Sequence, residues 1–111
     1  NIYPRGLYRQ LKALSCFNVP VYITENGLAD SNDDRRWLFI REHIRWMHRA
    51  IREGVDVRGY MYWSLLDNYE WAFGFEKRFG LIAVDFETQK RHIRSSAYQY
   101  QAVCTNNKLE T

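Results

Sequence analysis

Cysteine is scarce, with only Cys16 and Cys104 in 111 residues. The two are far apart and form no CxxC or metal-ligand pattern, which leaves no disulfide scaffold and no thiolate-held metal to expect. Both are read as buried apolar thiols. No Asn-x-Ser/Thr sequon is present, so nothing points to secretion, and a reducing, cytoplasmic compartment is expected. No apolar run approaches the roughly 18 to 20 residues of a membrane span, and no basic-then-apolar leader opens the chain, so no membrane partner is expected. An excess of one charge is missing too: 16 Lys+Arg against 13 Asp+Glu leaves +3. That is too balanced for a dedicated nucleic-acid binder. With two prolines and six glycines there is no linker or low-complexity tract. At 46% hydrophobic and 26% charged residues, low-hydrophobicity disorder is excluded. The chain opens on Asn1 rather than Met, and further chain upstream is expected.

What is present in excess is aromatic, at 16%. Eight of the eighteen aromatic residues fall between Tyr60 and Phe79. Around that cluster the sequence alternates helical and strand patterns. Pro4 suits a first helical turn, and Leu7, Leu11 and Leu14 follow at helical spacing. Val19 to Glu25 has strand composition and ends at the turn dipeptide Asn26-Gly27. Ser31 or Asp33 is expected to cap the next helix, with Asp33 and Asp34 in its first turn. Trp37, Ile40, Ile44, Met47 and Ile51 form that helix's apolar stripe, and Gly54 closes it. Val57 to Ser64 reads as a second strand leading into the long aromatic loop. Leu81 to Phe86 reads as a short strand or hairpin arm. A last helix is expected from Ser95 or Ser96, with Ala97, Tyr100 and Val103 turned inward. This order is that of a parallel α/β fold, whose strands need cover on both faces. Two main strands cannot close such a sheet.

Two segments carry chemistry. In Ile23-Thr24-Glu25-Asn26-Gly27 a carboxylate stands at the carboxyl end of a parallel strand, where α/β folds place catalytic groups. From the residues alone, a Glu at such a strand end is more often a solvated turn residue. The second segment runs from Tyr62-Trp63-Ser64-Leu65-Leu66-Asp67-Asn68-Tyr69-Glu70-Trp71 to Phe75 and on to Lys77-Arg78-Phe79-Gly80-Leu81. Carboxylates that take hydroxyl hydrogen bonds, set beside flat aromatic platforms, make a carbohydrate site. Without further context the same residues could be an aromatic satellite core under a long loop.

Together the two motifs resemble glycoside hydrolase family 1, the β-glucosidase and β-galactosidase family of retaining (β/α)8-barrel enzymes, from about Tyr3 to Tyr100. The resemblance implies that residues 1–111 are the C-terminal portion of one catalytic barrel, its seventh and eighth β/α units, not a closed barrel. It implies that Glu25 is the catalytic nucleophile, forming a covalent glycosyl-enzyme. A cation or hydrogen-bond donors would then be expected beside it to keep it ionised. Trp63 would wall the sugar subsite, Glu70 would grip the outer hydroxyls, Trp71 would donate to a neighbouring hydroxyl, and Phe79 would line the site. Glu70 would repel a 6-phosphosugar, so an unphosphorylated β-glucoside, galactoside or fucoside is the implied substrate. No cofactor and no metal are implied.

A retaining enzyme needs a second carboxyl about 5 to 5.5 Å from the nucleophile. The family supplies it from a Thr-x-Asn-Glu-Pro motif, which is absent here. A complete barrel takes about 250 residues. The isolated chain is therefore expected to be inactive, with the missing N-terminal part of the barrel as its partner. A non-catalytic glycan-binding relative and an isolated barrel fragment are the other readings. Arg41, Arg45, Arg49 and Arg52, interspersed with acidic residues, read as a solvated helix face. His43, His48 and His92 lack metal-ligand spacing and read as surface or boundary residues.

Overall fold

The computed structural model describes residues 1–110. The chain begins with α1 (Pro4–Leu14), which has Pro4 in its first turn, where a missing N–H costs nothing. Leu11 is 2% exposed and Leu7 packs near it. Leu14, expected on the same stripe, is exposed instead. A single 3₁₀ turn follows, and Asn18 ends it in the left-handed conformation at φ 52, which asparagine tolerates better than most residues.

Next come β1 (Val21–Ile23), α2 (Arg36–Arg52) and β2 (Val57–Tyr60). β1 and β2 pair in parallel, with Val21 opposite Val57 and Ile23 opposite Tyr60. The two strands are shorter than the sequence pattern implies, but the ladder continues irregularly past them. Met61 N–H donates to Ile23 O at 2.8 Å and Trp63 N–H to Asn26 O at 2.9 Å. α2 lies over the strands between two apolar clusters. Phe39, Ile40 and Ile44 meet Tyr62 and Leu81 on one side. Ala50 joins Leu11, Ile23 and Val55 on the other. Gly54 ends α2 at φ 98, as the sequence implies, and Ile51 at its end is exposed.

The caps differ from expectation. Ser31 does not cap α2; the Asp30 carboxylate takes the N–H groups of Arg35 and Arg36 at 2.8 and 3.0 Å. Asp33 and Asp34 both precede the helix. Asp33 turns instead to another helix, accepting Ser96 N–H at 3.0 Å and Ser96 Oγ–H at 2.6 Å. It therefore satisfies an otherwise orphaned amide at the start of α3 (Ser95–Asn106). Asp33 thereby bridges the two helices, since its carboxylate also pairs with Arg36 in the first turn of α2.

After the aromatic loop, β3 (Ile82–Val84) and β4 (Arg91–Ile93) form an antiparallel hairpin. Leu66 adds one parallel bridge to Ile82. α3 turns Ala97, Tyr100 and Val103 onto the α2 cluster. Both sheets among the described residues have two strands, and neither closes. One face of the β1–β2 pair is bare: Tyr60 and Tyr62 turn to the helices, while Tyr22 and Met61 are 54% and 50% exposed. Parallel sheets are normally covered on both faces. The radius of gyration, 15.0 Å, also exceeds the value of about 13 Å for a compact chain of this length.

Candidate active site

Glu25 follows β1 at the level where β2 gives way to Trp63. The Trp63–Asn26 backbone bond fixes these two strand ends side by side. The neighbouring turn has one further constraint. A side chain on Gly27 would overlap the Trp63 carbonyl, so only glycine lets the two backbones approach this closely. The Asn26 side chain is anchored as well, accepting the Tyr60 hydroxyl at 2.8 Å. Burial pushes that hydroxyl's pKa far above the ordinary value, so it remains a donor. Glu25 itself is exposed and has no hydrogen-bond or ion-pair partner among the described residues. The cation or donor expected beside it is not in this part of the structure.

Trp63 is 38% exposed on the bare side of the sheet, and its peptide bond to Ser64 is cis. Ser64 N–H donates to Phe79 O at 3.3 Å, which brings Phe79 back beside the strand end. The Tyr62 hydroxyl donates to the same Phe79 carbonyl at 2.9 Å. Glu25, Trp63 and Phe79 are thus gathered by backbone bonds from two strand ends and the returning loop.

Glu70 and Trp71 sit further out. Glu70 N–H donates to Gly74 O at 2.6 Å across a single 3₁₀ turn, Trp71–Phe73. Trp71 lies at φ 44, an uncommon conformation for a bulky residue, and its side chain is 84% exposed. Among the described residues no side-chain bond links Glu70 to Glu25.

The aromatic excess accordingly divides into two sets. Tyr69 packs edge-on against Phe75 at 5.3 Å, and Phe75 against Phe86 at 4.3 Å. These rings form a partly exposed cluster on the loop, with Tyr69 and Phe75 both at least half exposed. Trp63 and Trp71 are not spent in that way.

The residues that hold the loop were not anticipated from the sequence. The Asp67 side chain is fully buried and forms ion pairs with Arg94 at 2.9 Å and Arg78 at 3.2 Å. It also accepts Gly80 N–H at 2.8 Å. Burial alone would raise its pKa, but Arg94, the Gly80 amide and Arg78 together hold it below the ordinary carboxylate value. Arg36, with no exposed surface, is a second pin. Its Nε donates to the Tyr62 hydroxyl at 3.0 Å, and its guanidinium also meets Asp33 and the carbonyls of Asp30 and Arg78. Asp33 is likewise held below its ordinary value: burial opposes this, but Ser96 and Arg36 outweigh it. No buried side-chain polar atom among the described residues lacks a partner, as burial of charge requires. The available signal was an acid between Leu66 and Asn68 together with an arginine in the Lys-Arg-Phe-Gly-Leu motif.

Two other expectations are corrected. Cys16 and Cys104 are exposed, not buried, because both lie on outward helical turns. His43 is buried at 5% exposure, with Nδ1 2.7 Å from Phe39 O, because it falls on the core side of α2. Burial lowers its pKa. The arginine stripe is largely solvent-exposed, as expected, and Arg49 in addition lies 5.3 Å from the Tyr8 ring and 5.2 Å from the Trp46 ring, joining α2 to α1 by cation–π contact.

The family model for glycosyl hydrolase family 1 matches residues 1–109. The chain belongs to this family. Over 108 residues it is 46% identical to a β-galactosidase of Saccharolobus solfataricus, covering 96% of this chain and 22% of that protein. It is 46% identical to β-glucosidase A of Thermotoga maritima, covering 98% of this chain and 27% of that one. A 6-phospho-β-galactosidase of Leptotrichia buccalis, at 45% identity and 97% and 26% coverage, is nearly as similar. The solved β-glycosidase from Pyrococcus horikoshii superposes with a TM-score of 0.97 at 47% identity, over 100% of this chain and 26% of its own. The family 1 chain thus spans about a quarter of the length of its relatives, which fits the open sheet and the bare face.

Proposed function

We propose that this chain supplies the last two β/α units of a retaining β-glycosidase barrel, with Glu25 as nucleophile. The observation that carries the reading is the pairing of strand ends: the Trp63–Asn26 bond sets the Glu25 segment beside an exposed tryptophan on the uncovered side of a parallel sheet. Catalytic groups of barrel enzymes come from this end of the strands. Glu25 attacks the anomeric carbon, the leaving oxygen departs as an acid protonates it, and water then releases the sugar. Trp63 and Phe79 offer apolar faces to the sugar's C–H surfaces, and Glu70 and Trp71 accept and donate at its hydroxyl rim. The acid/base carboxyl and the groups that keep Glu25 ionised come from the rest of the barrel, which also covers Tyr22 and Met61. The chain alone is inactive.

The substrate class is an unphosphorylated β-glucoside, galactoside or fucoside. Overall identity does not separate it from a 6-phospho-sugar enzyme; Glu70 carries the distinction, because its charge repels a phosphate dianion. No described helix is long and apolar enough to cross a membrane. The two free, exposed cysteines favour a reducing, cytoplasmic setting.

Nitrophenyl β-glucoside turnover tests the reading. The chain alone should give none; the chain joined to the N-terminal remainder should give turnover that Glu25→Gln abolishes. Turnover by the chain alone, or activity surviving Glu25→Gln, would refute it.

A further inference from the structure

The Glu70–Trp71 turn lies within an excursion of the chain that leaves the fold after Asp67 and returns at Gly80. Its base is closed by backbone bonds between residues 64–67 and 79–82 and by one buried carboxylate. Asp67 takes Gly80 N–H at 2.8 Å and Val84 N–H at 3.3 Å on the returning arm, and two donors from Arg94 at 2.9 and 3.2 Å. Arg94 also donates to Gly80 O at 2.6 Å, and Arg78 to Val84 O at 2.6 Å. The seam has no slack: a side chain on Gly80 would collide with backbone atoms of Leu66, Asp67 and Ile82. No buried charge holds the outer turn, which has only local backbone bonds, among them Glu70 N–H to Gly74 O and Phe73 N–H to Glu70 O, and the Tyr69–Phe75–Phe86 ring contacts. Glu25, by contrast, is held by the β1–β2 ladder, which Asp67 does not touch.

We infer that Asp67 is a positioning residue for sugar recognition, fixing where Glu70 and Trp71 stand without acting on the nucleophile. The inference rests on the role given above to Glu70 and Trp71, and goes beyond it by assigning that geometry to a carboxylate that meets no substrate. Asp67→Asn keeps the shape but removes the charge that holds two guanidinium groups, so the excursion loosens at its base. A sugar attached through C1 presents its C4 and C6 hydroxyls farthest from the reacting bond. These are the hydroxyls a carboxylate on the outer turn would grip. Loss of Asp67 therefore erases discrimination at those hydroxyls more than it slows chemistry.

The test is made in the complete barrel with a β-glucoside and its 4-deoxy analogue. The unaltered protein should prefer the glucoside by about tenfold or more, the worth of one hydrogen bond to a charged group. In Asp67→Asn the preference should fall towards unity, mainly through KM, as in Glu70→Gln. A matched core variant, Ile40→Val, should keep it. Retention of the preference in Asp67→Asn overturns the inference. So does equal loss in Ile40→Val, since any destabilisation would then do the same. If the complete barrel shows no glycoside turnover, the functional reading fails, and hydrogen exchange on the chain decides the positioning claim separately. The Glu70, Gly80 and Val84 amides should exchange at least about tenfold faster in Asp67→Asn, with Met61 and Trp63 unchanged. An unaltered pattern, or uniform acceleration, overturns it.

Discussion

The Glu25 segment and the 61–80 loop both present a carboxylate, but different forces hold them. Glu25 takes its place from a parallel ladder and a glycine turn, with Met61 and Trp63 bonded across to Ile23 and Asn26. Beyond Trp63 the loop is tied to its returning arm by a few backbone bonds, such as Leu81 N–H to Ser64 O at 2.8 Å, and is pinned by charges buried beneath it, Asp67 with Arg78 and Arg94, and Arg36 with Asp33 and Tyr62. A ladder fixes a group with local, regular bonds. Buried charges fix one only if every partner is present, because a lone buried ion costs far more than a paired one returns. The position of Glu25 should therefore be robust, and that of the Glu70–Trp71 loop should be conditional on a few residues.

That contrast can be broken from the loop side first. Asp67→Ala leaves Arg94, whose side chain is 10% exposed, without its partner. It should cost about 3 to 5 kcal/mol, read by urea denaturation, with hydrogen exchange accelerating at 64–84 more than in α2. If α2 loosens first, the loop is not the weaker region. Breaking the ladder side takes a steric change: Gly27→Ala forces a methyl into the Trp63 carbonyl and should cost about 3 kcal/mol, the upper range for overpacking. Retention of full stability would show that the two strand ends are not held together.

Acid separates the two regions without mutation. The carboxyls of Asp33 and Asp67 titrate below their ordinary value in the fold. Their contribution is therefore full above the unfolded pKa of about 4 and is lost as pH falls through the depressed folded values. His43, lowered by burial, adds an earlier decline that begins near its unfolded pKa of about 6.5. Denaturation midpoints between pH 7 and 2 should fall in those two stages, and Asp67→Asn should flatten the lower one. An unchanged lower stage would mean that Asp67 is not held by its arginines. Glu25→Gln should have the smallest effect on stability, within about 0.5 kcal/mol, as for an exposed side chain without partners among the described residues.

The same contrast explains what could be read in the sequence. The β1–α2–β2 unit was legible because its signals are local. Strand composition, the stripe through Ile40 and Ile44, and Gly54 at the helix end lie within a few residues of what they specify. The motifs around Glu25 and Glu70 were legible for the same reason. The pins were not: Arg94 reaches Asp67 from 27 residues away, and Ser96 reaches Asp33 from 63. No periodicity announces such pairs. Asp33 looked like a cap for the adjacent helix and proved to cap a distant one. His43 looked peripheral because its stripe was counted from apolar residues alone.

The account depends most on Glu25 becoming covalently bonded to the sugar. A 2-deoxy-2-fluoro-β-glucoside with a good leaving group slows release of the glycosyl-enzyme, so that intermediate accumulates on a retaining enzyme. Incubated with the complete barrel and digested, it should leave one fluorosugar on the peptide containing Thr24 to Gly27, attached at Glu25 and absent in Glu25→Gln. Sugar on another residue, or steady turnover of nitrophenyl β-glucoside by Glu25→Gln, would contradict it.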